Sequence, residues 1–356
     1  RFGLTARDAC SQNKEALLCA CRNGNLQVLQ WLHSTFQLAA KDICGDDNEA
    51  LYTACSSGHL NIVQWLVQTF GTTAEEIRYG SNRLLRVACQ NGNLEVARWL
   101  TDAFGLNAHD ALSKKNFALH YACKNGHLEL VQWFVRQFKV RSKVVRSNSN
   151  YALRYACKNG HLEVVKWLVS QFKLTLRDFL SKANWILFPI CQNGHLKILK
   201  WIHATFDLNS EISHPNFNQL LRRTLGLSLG VACNYRQLEV AQWIRSTINI
   251  NPETYYANTI LWEACKFGYL DVVQWLHSAF NFSADDIRKS NNFALQTACC
   301  FGHLQIAVWL HSTFSLTVND IRMDNDYALR CARENRFNNV VEWIEETFNL
   351  RNVAMN

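Results

Sequence analysis

Residues 117–135 read FALHYACKNGHLELVQWFV. Leu119, Ala122, Cys123 and Gly126 fall at i, i+3, i+4 and i+7, which places them on one face of a helix. Gly126 is suited to end that helix, because a left-handed residue is least costly as glycine. A second helix then follows and buries Leu128, Leu130, Val131, Phe134, Val135 and Phe138. Asn116, just ahead of the first helix, reads as an N-cap, and Asn48, Asn82, Asn150, Asn184, Asn258 and Asn292 hold the same place in other copies.

The stretch is one copy of many. Trp31, Trp65, Trp99, Trp133, Trp167, Trp201, Trp243, Trp275, Trp309 and Trp343 stand in register, at intervals of 34 five times and then 42, 32, 34 and 34. A fixed period of this size marks units that cannot bury their apolar face alone and must stack on neighbours. Each copy continues with Phe-x-Leu and then Ser or Thr with Asp three residues on, as in Thr175/Asp178, Ser283/Asp286 and Thr317/Asp320. This is helix-start chemistry and predicts a short third helix in most units; Asn251-Pro252 is a variant of it.

Ala118-Leu119-His120-x-Ala122-x-x-x-Gly126-His127-Leu128-Glu129-x-Val131 resembles the ankyrin repeat phrase. The resemblance covers almost the whole chain. It implies an all-α, ankyrin-like α-solenoid of about ten helix-turn-helix repeats. Here the capped turn replaces the family's β-hairpin finger. The wording of residues 150–154 is similar to ankyrin arrays of amoebal giant viruses and protists. The expected layout is a single array over 1–350, with an irregular insertion near 207–226 that includes SHPNFNQ, and a tail at 351–356. In the last unit Arg333, Arg336 and Asn338 replace Cys, Gly and Leu, as suits a terminal repeat facing water. The chain starts in mid-pattern, with Phe2, Leu4, Thr5 and Asp8 matching the end of a unit, which points to a longer parent.

Composition excludes several classes. With 48% hydrophobic residues and three prolines the chain is not of the disordered type, and it has neither a membrane-length apolar run nor a signal-peptide core. An intracellular protein, cytoplasmic or nuclear, is expected. The fourteen cysteines include pairs such as Cys55/His59, Cys123/His127, Cys157/His161, Cys191/His195 and Cys299/His303. Nine of the cysteines occupy one buried register, however, so they read as small core residues with free thiols. The tryptophans read as packing against the Phe-x-Leu segment. No phosphate loop, zinc-protease or nucleophile-elbow motif is present, so no catalytic residue, metal or cofactor is expected.

Function is expected in the letters that change. Opposite the buried face of the first helix, the varying positions carry Phe117, Tyr121 and Lys124 in one unit, Tyr151, Tyr155 and Lys158 in the next, and Arg83 and Trp185 at the edges. The resemblance implies that this is the partner-binding side. Residues 114–200 hold sixteen Lys and Arg against Glu129, Glu163 and Asp178, a net of +13 in a chain whose total is +8. An aromatic and basic centre predicts a protein partner with an acidic surface. The alternatives are a nucleic-acid track and a structural spacer in a large assembly. Arg86, Arg154 and Arg330 stand where the family has the histidine seen as His120, and inter-repeat hydrogen bonds are expected of them.

Overall fold

The computed structural model describes residues 11–39, 48–180, 186–209, 218–247, 254–289 and 291–350. The described residues form helices and connecting turns, with no strand among them. The chain is an all-α, ankyrin-like solenoid in two compact units, Arg1–Ile186 and Leu187–Asn356, each with five helix pairs among its described residues. In the quoted copy the pair is Ser113–Lys124 and Leu128–Gln137. Ala108–Ala111, Ser142–Val145, Leu176–Leu180, Ala284–Lys289 and Val318–Ile321 are the short third helices.

Burial follows the periodicity. Leu119, Ala122, Cys123, Leu130, Val131, Phe134, Val135 and Phe138 are all buried, while Leu128 at the start of the second helix is only half-buried. The nine cysteines of the shared register are fully enclosed free thiols, and burial pushes the titration of the eight from Cys55 to Cys299 well up, to about 12 even for Cys191 and Cys233. Each of the ten in-register Trp except Trp243 packs edge-on against the Phe five residues later, with centroids 5.8–6.3 Å apart. Trp65, Trp243, Trp309 and Trp343 also meet a histidine of the preceding repeat. Among the described residues, no helix is long and apolar enough to cross a membrane.

The asparagines correct the capping expectation. Asn48 and Asn292 make no side-chain cap bond and adopt φ of 52° and 54°. They belong to a short left-handed turn, complete at residues 114–116 and 148–150, and Asn is among the residues that tolerate this region best. The freed amide reaches the next repeat. Asn82 donates to the Asp110 carbonyl at 2.9 Å, Asn150 to that of Asp178 at 3.1 Å, and Asn292 to that of Asp320 at 3.3 Å. Asn258 lies inside the helix Thr254–Phe267, and Asn184 and Asn251-Pro252 lie outside the described residues.

Two further devices tie successive repeats. The histidine after the helix-ending glycine turns back, so that Nε2–H of His59, His127 and His303 donates to the carbonyls of Arg22, Gln90 and Lys266, each at 2.9 Å. Its ring occupies the space a side chain would need on the glycine of the preceding repeat. A Cβ on Gly92 would stand 2.4 Å from His127 Nδ1, and one on Gly126 at the same distance from His161 Nδ1. The second device is the capping aspartate. Thr175, Ser283 and Thr317 backbone N–H groups donate to Asp178, Asp286 and Asp320 as expected. The arginine of the preceding repeat adds a salt bridge in three cases: Arg78 to Asp110 at 3.2 Å, Arg146 to Asp178 at 2.9 Å and Arg288 to Asp320 at 3.0 Å.

The insertion partly enters structure. Residues 210–217 lie outside the described part, and Asn218–Asn234 forms a first helix of 17 residues, longer than its 12-residue counterpart Ser113–Lys124. At the other irregular repeat Arg333 is exposed and pairs with Glu345 at 2.6 Å, where its counterparts are buried cysteines; Arg336 and Asn338 are exposed too.

Gly92→Ala should cost about 2 kcal/mol or more, since it adds the His127 clash to left-handed strain of about 1–2 kcal/mol. Gly71, equally left-handed but with open space around its Cβ, should show the strain alone when changed to Ala, and paired urea unfolding curves measure the difference. Burial acts to raise the Asp320 carboxyl, but the Arg288, Thr317 and Asn292 hydrogen bonds outweigh it and hold it at about 2. The unfolded carboxyl titrates near ~3.9, so this contribution is present above that pH and lost as pH falls toward about 2. Asp320→Asn should lower stability at neutral pH and remove that part of the acid dependence in a pH series of urea midpoints.

Candidate protein-binding site

The first helices Ser113–Lys124 and Ser147–Lys158 carry no Asp or Glu. Their varying positions face one another across the repeat boundary and form one cluster. Phe117 and Tyr121 meet edge-on at 5.6 Å. Tyr151 and Tyr155 stack at 4.1 Å, and Lys124 reaches between repeats, its Nζ 5.4 Å from the Tyr121 ring centre and 5.7 Å from that of Tyr155. Lys158 Nζ lies 5.9 Å from the Tyr155 centre. Six of the eight residues expected at the site are thus together. Arg83 lies one repeat earlier with its guanidinium 4.1 Å over the Tyr52 ring, and Trp185 lies outside the described residues.

The structure adds a register that the reading of the varying positions left out. Tyr52, Arg86, His120 and Arg154 recur every 34 residues, and His120 and Arg154 lie among the residues of this cluster. His120 is fully buried and stacks on Tyr151 at 4.6 Å. Both of its ring nitrogens lack a hydrogen-bond partner. The Arg154 guanidinium sits 5.3 Å from the Tyr155 centre and 5.7 Å from that of Tyr151. The inter-repeat bonds expected of the arginines do not form at Arg86, which donates to the carbonyls of Gly80 and Ser81 in its own repeat. The left-handed turn bends those carbonyls back toward the helix, within reach of the long side chain. At Arg154 the guanidinium faces aromatic rings, because Tyr occupies both positions 151 and 155. The signal available in the sequence was the exchange of His for Arg and Tyr at one register.

Charge and burial shape these groups. Desolvation, with Arg154 adding repulsion, lowers His120 to about 4 and keeps it neutral. Burial, then Tyr155 and Tyr121, raise Tyr151 to about 12, so it remains a neutral hydroxyl that can donate. Lys124, Arg154 and Lys158 surround one ring, and neither Lys124 nor Arg154 has a carboxylate partner among the described residues. Such an array attracts an anion and leaves aromatic surface to be covered.

Elsewhere the surface differs. An open cavity of about 420 Å³ lies between the second helices Leu94–Ala103 and Leu128–Gln137, with Arg98, Glu129, Trp133 and Arg136 on its walls. In Leu187–Asn356 an aromatic ladder missed in the sequence stands at the register of Asn125: Tyr235, Phe267 and Phe301 are exposed, and Lys266 Nζ lies 5.7 and 5.8 Å from the two Phe rings. Among the described residues no three His, Cys, Asp or Glu side chains are grouped to hold a metal.

The family model for ankyrin repeats in three copies matches residues 3–79 and 80–178, and the one for ankyrin repeats in many copies matches 261–311. Together they cover more than half of the chain. No curated protein matches it.

His120 supplies a pH test of the cluster. A folded value of about 4 against an unfolded one of ~6.5 means that the unfolded chain binds the proton first as pH falls, so stability should drop between pH 6.5 and 4, by up to about 3 kcal/mol. His120→Leu should flatten that part of the urea-midpoint profile. In Arg154→Gln the imidazole value, followed by NMR, should rise while staying below ~6.5, since burial remains.

Proposed function

We propose, from the premise that the chain belongs to the ankyrin repeat family, that it is a non-catalytic scaffold whose first-helix face holds an acidic protein segment. Binding between proteins is what ankyrin repeats generally do. The observation that carries the reading here is the half-buried stripe Phe117, Tyr121, Tyr151 and Tyr155, with Lys124, Arg154 and Lys158 around it and no carboxylate on either helix. Aromatic residues and Arg are the side chains that dominate binding energy at protein interfaces, and Lys124 and Arg154, without a carboxylate partner among the described residues, favour an acidic partner. Arg83 extends the stripe toward the preceding repeat, and Trp185 is proposed as its other edge.

Nucleic acid is the weaker reading. A base-stacking platform needs an open ring face. Tyr151 has His120 on one side and Tyr155 on the other, and the surroundings of Tyr155 are shared by Tyr151 and three cations. A photo-crosslinking residue placed at Phe117, with a control at the exposed Gln137 of the second helix, tests the choice in cell extract. The expected result is a protein adduct from position 117 that survives nuclease and is weakened by salt. Adducts from position 137 alone, or loss of the 117 adduct on nuclease treatment, would overturn the reading.

A further inference from the structure

We propose that Cys300 and Cys331 form a redox-sensitive dithiol site, at which a small-molecule disulfide closes a reversible Cys300–Cys331 bridge between two successive repeats. The site is independent of which partner the first-helix face holds.

Both cysteines stand apart from the core register that holds nine others. Cys300 takes the place of Lys124 and Cys331 that of Tyr155, two places on the varying face whose side chains meet across the repeat boundary at 5.7 Å in the candidate site. Their helices, Phe293–Cys300 and Met323–Glu334, pack on one another. One amide spans the pair: Asn335 Nδ2 donates to the Cys300 carbonyl at 3.4 Å and to Cys331 Sγ at 3.5 Å. Its counterparts Asn91, Asn125 and Asn159 hold the corresponding carbonyl more tightly, at 2.9, 2.6 and 2.7 Å. At this boundary the amide is shared with Cys331, whose carbonyl it also meets at 3.0 Å. The exposed Tyr327 hydroxyl titrates above its ordinary value because charge on Cys300, and next on Cys331, acts on it.

The two thiols are unequal. Cys331 is half-buried, within reach of a small reagent, and the Asn335 N–H is placed to hold a thiolate there. Cys300 is 8% exposed, and burial, followed by the neighbouring Cys331, pushes its titration up. Cys331 is therefore the attacking group and Cys300 the resolving one. Deprotonated Cys331 Sγ attacks one sulfur of the reagent R–S–S–R, the S–S bond breaks, and the departing RS⁻ takes up the proton that Cys331 released. Cys300 Sγ then gives up its own proton and attacks Cys331 Sγ in the mixed disulfide, and the second RS⁻ leaves and takes that proton. The two cysteines lose two electrons, and R–S–S–R is reduced to two R–SH.

The experiment uses the full chain, freshly reduced, with glutathione disulfide as the reagent. After acid quenching and alkylation, a non-reducing tryptic digest read by mass spectrometry should show residues 290–322 joined to 331–333. This link should exceed any other by about ten-fold or more, because the fold holds the two thiols at a high effective concentration, and dithiothreitol should reverse it. Cys299→Ser should keep the link, which assigns it to Cys300. Cys300→Ser should lose it and retain glutathione on Cys331, whereas Cys331→Ser should lose both the link and the adduct. Circular dichroism and the urea midpoint check the fold of each variant, and the digest of the unaltered chain needs none of them.

Absence of the link in the unaltered chain overturns the inference, as does a link that forms only in urea. A link that persists in Cys300→Ser, or glutathione retained on Cys300 in Cys331→Ser, overturns it too.

Discussion

In the repeats of His59, His127 and His303 the neighbours are held together through a main-chain carbonyl at the end of the preceding first helix. The Nε2–H of His127 reaches Gln90 at 2.9 Å across the space above Gly92, and the same arrangement recurs from His59 to Arg22 and from His303 to Lys266. The last carbonyls of a helix have no partner within it, so the bond satisfies a group that would otherwise be left to water. It also makes glycine necessary twice, once for a positive φ and once for the neighbour's ring. With this contact in place, Asn amides and the Arg–Asp pairs close the rest of the seam, and a helix pair too small for a core of its own gains one.

That division of labour explains why the cysteine register is so uniform and the opposite face so varied. The core face meets the same apolar environment in every copy, and nine enclosed thiols fit it equally well. The opposite face has no such constraint. In the repeats around residues 114–158 it gathers half-buried aromatics and cations, with Lys124 and Arg154 lacking a carboxylate partner among the described residues.

How much of this could be read from residues alone depended on whether the interaction was local. The helix pairs, the Thr175, Ser283 and Thr317 caps and the burial of Phe134 or Val131 follow from spacings of three and four residues, and were legible. Six of the eight expected site residues come together because 34 residues return the same side chain to the same face. What escaped had its partner in the next repeat. Asn150 looks like a cap, yet its amide goes to the Asp178 carbonyl, 28 residues away. His120 and Arg154 belong to the site through rings on a neighbouring turn or repeat, which no single repeat phrase displays. The ladder of Tyr235, Phe267 and Phe301 was hidden by its place in the Asn-Gly-His turn.

The central claim is that the cations of the varying face are kept for a partner and not for the fold. The most direct measurement is the urea midpoint, at low ionic strength, of the chain carrying Lys124→Gln, Arg154→Gln and Lys158→Gln. Relief of mutual repulsion should leave the midpoint unchanged or raise it, the behaviour of residues retained for function at some cost to stability. A fall equivalent to more than about 1 kcal/mol would mean that the cation–ring contacts hold the repeats together, and would contradict the account.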